Sequence, residues 1–168
     1  MDPILARRSI RRYTEEQVGE ADIIYLLKAA MSAPSAHNEQ PWHFVVINER
    51  RILDEVPKFH ENAQMLKGAP MAILVCGDLT LEKAEGYWVQ DCAAATENIL
   101  IAAQNRGLGA VWLGIYPRQN RVEILQEMLN LPQHVIPFSL IPVGHPAVQK
   151  PPSERFDPAR IHYNSWSK

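Results

Sequence analysis

Apolar side chains along this chain repeat in two rhythms, one suited to helices and the other to strands. Between residues 20 and 32, Ile23, Leu26, Leu27, Ala30 and Met31 return at helical spacing. Pro34 then stops the helix, because a proline pushes the residue before it out of the helical region. The run His43, Phe44, Val45, Val46, Ile47 has branched and aromatic side chains that fit a pleated sheet, and it predicts a strand. Helical patterns follow at about 51–56 and 58–67, the second closed by Gly68. Residues 70–76 are almost continuously apolar, as in a central strand covered on both faces. At the start of the chain, Asp2 can cap free amides and Pro3 lacks one, so a short helix is expected to about Arg8, with 9–13 extended.

From 85 to 106, Trp88, Cys92, Ala95, Ile99 and Ala102 mark one apolar helix face, while Val89, Ala93 and Leu100 mark another. Such a helix lies deep in a core or is shared with a second subunit, and Ala93, Ala94 and Ala95 permit close approach. Gly107 and Leu108 suit its stop. A strand at 110–115, a helix at 118–129 and a strand at 135–143 complete the pattern. Beyond them, 144–168 carries Pro146, Pro151, Pro152 and Pro158 yet keeps Ile161, His162, Tyr163 and Trp166. It reads as an extended tail with apolar groups to bury, which a solvated tail would not need. The layout is α+β, with helices on a mixed sheet.

At 168 residues the chain suits a single domain, 1–168, with its own core. A formal net charge of -2 gives no reason to expect a nucleic-acid or membrane partner. Cys76 and Cys92 stand in apolar segments without metal-ligand spacing, which predicts buried reduced thiols and neither a disulfide framework nor a metal site. No apolar run reaches bilayer length, and Met1, Asp2, Pro3 are not a charged leader, so a cytoplasmic protein is expected. No nucleophile–base pair or catalytic carboxylate pair stands out, which agrees with chemistry carried by a cofactor.

Two segments carry most of the chemical information. Arg7, Arg8, Ser9, Ile10 and Arg11 cluster guanidinium groups around a hydroxyl, a pattern that serves either as an anion site or as a solvated turn. Pro34, Ser35, Ala36, His37, Asn38, Glu39, Gln40, Pro41 and Trp42 form a polar, proline-bounded loop that leads into a strand. In this order, the segments resemble the nitroreductase family of FMN-dependent, homodimeric NAD(P)H oxidoreductases. Residues 107–115, which include Gly107, Gly109 and Gly114, and the later Pro142, Val143, Gly144, His145 fit the same resemblance.

That resemblance implies a three-layer α/β/α sandwich with a mixed, mainly antiparallel sheet and a tail, 144–168, that packs on the partner subunit. It implies that Arg7 and Ser9 meet the FMN phosphate, with Arg8 adjacent in the cofactor site, and that Arg11 stands beside the flavin N1 and C2 carbonyl, where its charge favours the reduced ring. Pro34, Ser35, Ala36 and Asn38 are expected to reach the flavin of the opposite subunit, with Gln40, Pro41 and Trp42 anchoring the loop. Leu113 and Gly114 are candidates for main-chain contact at flavin N5, and Arg155, with Lys150 as the alternative, for a basic residue returning to the phosphate. His37 has no assigned role, and His145 is expected to pack. The implied activity passes hydride from NADH or NADPH through FMN to a nitroaromatic, quinone or flavin acceptor by a ping-pong scheme. A specialised reductase, dehydrogenase or dehalogenase of the same fold, or a non-catalytic FMN-binding protein, are the alternatives.

Overall fold

The computed structural model describes residues 2–166; Met1, and Ser167 and Lys168 at the end of the expected tail, lie outside the described residues. Helix α1, Pro3–Ala6, is capped by the Asp2 carboxylate, which accepts from the Ile4 amide, and an extended strip follows it. Helix α2, Glu20–Met31, is followed by a tight turn at Ala36–Asn38 and strand β1, Trp42–Ile47. Helix α3, Arg50–Phe59, strand β2, Met71–Asp78, and helix α4, Trp88–Asn105, come next. Strands β3, Gly109–Ala110, and β4, Leu113–Gly114, precede helix α5, Gln119–Met128, and strand β5, Val135–Gly144.

The sheet runs β1-β2-β5-β3, with β4 also on β5, and all these pairings are antiparallel. A parallel bridge from Ser9 to Ala110 adds the extended strip to its edge and makes the sheet mixed. Because side chains alternate along a strand, β2 feeds two cores. Met71, Ile73 and Val75 pack with Leu26 and Ala30 of α2 and Cys92, Ala95 and Ile99 of α4, whereas Ala72, Leu74 and Cys76 pack with Leu53 and Val56 of α3 and Val122 and Leu125 of α5. The result is an α+β fold of three layers, helices on both faces of the sheet. Every residue of β2 is buried, as the apolar run predicts as far as Cys76, and the buried stretch continues through Gly77 to the charged Asp78.

Several boundaries differ from the sequence expectation. The helical pattern at 51–67 divides into α3 and a 3-10 segment, Glu61–Lys67, with the break at His60 rather than at residue 57. Pro57 is tolerated inside α3, but the helix ends two residues later, consistent with the amide that proline lacks. The strand expected at 110–115 is two short pieces, because Val111 and Trp112 leave the ladder between them. The long apolar helix starts at Trp88 rather than 85 and ends as expected: Gly107, at φ 71°, lets the Leu108 amide return to the Ala103 carbonyl at 2.8 Å. Both cysteines are buried and free, and burial pushes the Cys76 thiol up to about 12.

The tail after β5 has one short 3-10 turn, Pro158–Arg160, and no strand or helix besides it among the described residues. Phe156, Tyr163 and Trp166 are 79%, 82% and 82% exposed.

Candidate functional site

The strip after α1 is held to the sheet edge by its main chain. The Ile10 amide donates to the Ala110 carbonyl at 3.0 Å, and the Thr14 amide donates to His145 at 2.9 Å. Gly109 makes this approach feasible, since a Cβ there would stand 2.6 Å from the Ile10 side chain. Tyr13 donates its hydroxyl to the Ile10 carbonyl at 2.8 Å, and burial raises its pKa well above the usual phenol value. Thus Arg7, Arg8, Ser9 and Arg11 are carried on a fixed backbone along the sheet edge.

The strip borders two clefts. One, of about 460 Å³, is lined by Arg8, Ile10, Gln104, Asn105, Leu108 and Lys150, among others. Beside it, Lys150 donates to the Ser9 carbonyl at 3.0 Å and Arg8 to the Pro151 carbonyl. Arg7 turns toward α4 and pairs with Glu97 at 3.2 Å. The second cleft, of about 630 Å³, gathers Arg11, Trp112, Leu113 and Gly114 with His60, Asn62 and Arg121. The tail cation beside Ser9 is therefore Lys150, the weaker alternative in the sequence. Arg155 is exposed and makes no hydrogen bond or ion pair among the described residues.

His60, Asn62 and Arg121 were not legible as site residues. Arg121 donates to the Gly114 carbonyl at 2.8 Å and lies 3.2 Å from His60 Nε2, which is itself 3.2 Å from the same carbonyl. Burial, then the Arg121 charge, lowers the His60 pKa, so the imidazole is neutral at pH 7. This clamp fixes a glycine that has no side chain to hold it. His60 and Arg121 are 61 residues apart, and no local pattern joins them.

The loop at 34–40 is rigid for a different reason. His37, Asn38 and Gln40 have φ of 49°, 53° and 48°, a region that costs non-glycine residues energy and persists only when the surroundings impose it. Ser35 Oγ accepts from the Gln40 amide at 3.0 Å, and Gln40 donates its side-chain amide to Asn38 Oδ1 at 3.0 Å. The Ala36 amide donates to Asp91 on α4, while Glu39 Oε2 accepts from the Lys83 and Ala84 amides. Pro41 and Trp42 are buried at the loop's end. Within one chain, no hydrogen bond or ion pair joins Pro34, Ser35, Ala36 or Asn38 to Arg7, Arg8, Ser9 or Arg11, and the loop lines neither cleft.

The donor set fits a flavin mononucleotide. Arg8 and Lys150 border one cleft, with Lys150 also holding the Ser9 carbonyl, and a charged guanidinium and a clamped glycine border the other. The Gly114 position meets nothing within 4 Å of an added Cβ, so a planar ligand has room against that backbone. Among the described residues no helix is long and apolar enough to cross a membrane.

Comparison with known proteins finds relatives in sequence and in fold. The sequence profile of the Nitroreductase family matches residues 4–64 and 54–145. A protein of Methanothermobacter thermautotrophicus, provisionally named an NADH dehydrogenase/NAD(P)H nitroreductase, is 49% identical over 166 residues, covering 99% of this chain and 87% of the relative. A solved structure from Clostridium acetobutylicum, provisionally named an NADH oxidase, is 45% identical with a TM-score of 0.95, covering 98% of this chain and 100% of that one. Another, from Desulfovibrio desulfuricans, is a provisionally named nitroreductase in complex with FMN; it is 34% identical with a TM-score of 0.86, covering 98% and 96%.

Proposed function

The chain belongs to the nitroreductase family, and from that premise we propose that it is an FMN-dependent NAD(P)H oxidoreductase, working as a homodimer with shared sites. Residues 1–168 would form one domain, with the tail from 144 packed on the second copy. The observation that carries the reading is the meeting of Arg11, Leu113 and Gly114 at one cleft while Arg8 and Lys150 line the other, Lys150 donating to the Ser9 carbonyl. Bound FMN would supply the hydride acceptance and donation that no side-chain pair here offers.

The protein's own residues bind and orient. Arg7, Arg8 and Ser9, joined by Lys150 or Arg155 of the tail, would hold the phosphate through charge-assisted hydrogen bonds. Arg11 keeps a fixed positive charge at the pyrimidine edge, which favours a negatively charged reduced ring. The Arg121 and His60 clamp keeps the Gly114 backbone in place. Pro34, Ser35, Ala36, Asn38 and Gln40 of the second copy would close the site, consistent with their separation from the strip within one chain. Reductant and acceptor would occupy the same place in turn, a ping-pong scheme, with a small nitroaromatic, quinone or flavin as acceptor. Buried, unpaired cysteines support a cytoplasmic setting.

The test is an absorbance spectrum of the purified protein, followed by anaerobic titration with NADH and NADPH. A flavin spectrum that bleaches with either nicotinamide supports the enzyme. Bound flavin that never reduces overturns the catalytic reading and leaves a binding protein.

A further inference from the structure

Glu39 and Asp91 are carboxylates that the fold buries to 6% and 4% exposure, and nothing in the proposed chemistry uses them. Each commits one oxygen to main-chain amides from a distant segment. Glu39 Oε2 accepts from Lys83 at 2.6 Å and from Ala84 at 3.0 Å, and Asp91 Oδ1 accepts from Ala36 at 3.0 Å. The remaining oxygens, Glu39 Oε1 and Asp91 Oδ2, are buried and meet no donor among the described residues. Both groups close on one turn, since the Glu39 amide donates to the Ala36 carbonyl at 2.9 Å while Asp91 holds the Ala36 amide, and this brings each carboxyl within the electrostatic reach of the other. Ionised carboxylates only accept, so this approach without a proton would set two negative charges together away from water.

We propose that a single proton, resident on Asp91 Oδ2 and donated to Glu39 Oε1, makes this pair a latch that holds the loop at 34–40 against α4 and the segment at 83–84. The proton belongs on Asp91 because Glu39 has two amides to stabilise its charge and Asp91 has one. Burial opposes ionisation of both groups. For Glu39 the Lys83 and Ala84 amides, with Asp91 and His37, outweigh it and lower the pKa. For Asp91, burial leads, the Ala36 amide opposes it, and the interaction with Glu39 and the charges of Glu39 and Glu82 bring the pKa above the ordinary value. The facing groups are thus His37 on the loop, Glu82 on the connection and Cys92 on α4, the last a thiol whose own pKa burial raises.

The sign follows from the two directions. Stability from Glu39 is present above its ordinary pKa and is lost as pH falls through the lowered one. Stability from Asp91 is present at low pH and is lost as pH rises through the raised one. The latch is strongest between them. Its effect on cofactor retention rests on the reading of the loop as flavin-facing; the proton itself does not.

Carbon-13 NMR titration of the side-chain carboxyls in the full chain, assigned with Asp91→Asn and Glu39→Gln, tests the proton directly. Asp91 should stay protonated where an ordinary aspartate is ionised, and its deprotonation should shift the Glu39 signal in the same step. Asp91→Asn, which donates an amide hydrogen in place of the proton, should flatten the alkaline arm of stability against pH. Should that variant fail to fold, Glu39→Gln carries the test, because removing the neighbouring charge should lower the Asp91 pKa. Asp91→Ala should weaken FMN binding about tenfold by leaving the Ala36 amide and Glu39 oxygen unpaired. If both carboxyls titrate at ordinary values, the latch is overturned whether or not FMN binds. If the proton is found but Asp91→Ala keeps full FMN affinity, the link from latch to flavin site is overturned. Failure of wild-type protein to take up FMN instead overturns the functional reading and leaves the proton standing.

Discussion

The loop at 34–40 and the tail after residue 144 are both irregular, yet they solve the problem of order in opposite ways. The loop holds left-handed residues because its polar groups end on buried partners, Asp91 among them, and on one another. The tail has no such set of buried partners. It is tied near its start by Lys150 and Arg8, and then carries Phe156, Tyr163 and Trp166 into solvent. Irregular backbone is thus stiff where its own chain supplies buried acceptors, whereas the aromatic groups of the tail stay exposed in the single chain, as the proposed packing on a second copy would require.

The largest effect should come from removing those aromatics. Burying each contributes about 1.5–3 kcal/mol, so Phe156→Ser/Tyr163→Ser/Trp166→Ser should weaken a dimer by at least about a thousandfold, read by analytical ultracentrifugation. A triple variant that sediments like wild type would mean that the tail's aromatic groups do not hold the subunits together.

Next in size is the loss of FMN from Arg7→Ala/Ser9→Ala, at least about tenfold in affinity, with circular dichroism unchanged. Refolding this variant together with Ser35→Trp sharpens the comparison. If strip and loop come from different copies, one site of each mixed dimer collects both lesions and the other is intact, so about half the sites should bind FMN. Mixed dimers that bind none, beside wild-type controls that recover it, would return the loop to its own chain's site.

Arg11→Gln should change chemistry more than occupancy. The amide keeps a donor but removes the charge, so FMN should stay bound while its midpoint potential falls and anaerobic reduction by NADH or NADPH slows. An unchanged potential would place Arg11 away from the ring.

The smallest effect concerns His60. Its lowered pKa means that the unfolded chain takes up a proton before the folded one, so stability should fall as pH drops through the ordinary histidine range toward the lowered value. Urea denaturation of His60→Gln at several pH values should show a shallower acid slope than wild type, because that titration is gone.

The sequence by itself determined the elements whose signals are local. The apolar run of β2, the cap at Asp2, the helix stop at Gly107 and the family-like strip and loop are each readable within a few residues, because side-chain periodicity, proline and glycine act over that range. Only the tertiary structure decided that Val111 and Trp112 would leave the ladder, that Lys150 rather than Arg155 would lie beside Ser9, and that His60 and Arg121 would clamp Gly114. It also decided that Glu39 and Asp91, 52 positions apart in the chain, would be buried within electrostatic reach of each other. Those outcomes depend on which surfaces the sheet and helices bring together, and burial changes what a charged group can do only after that meeting has occurred.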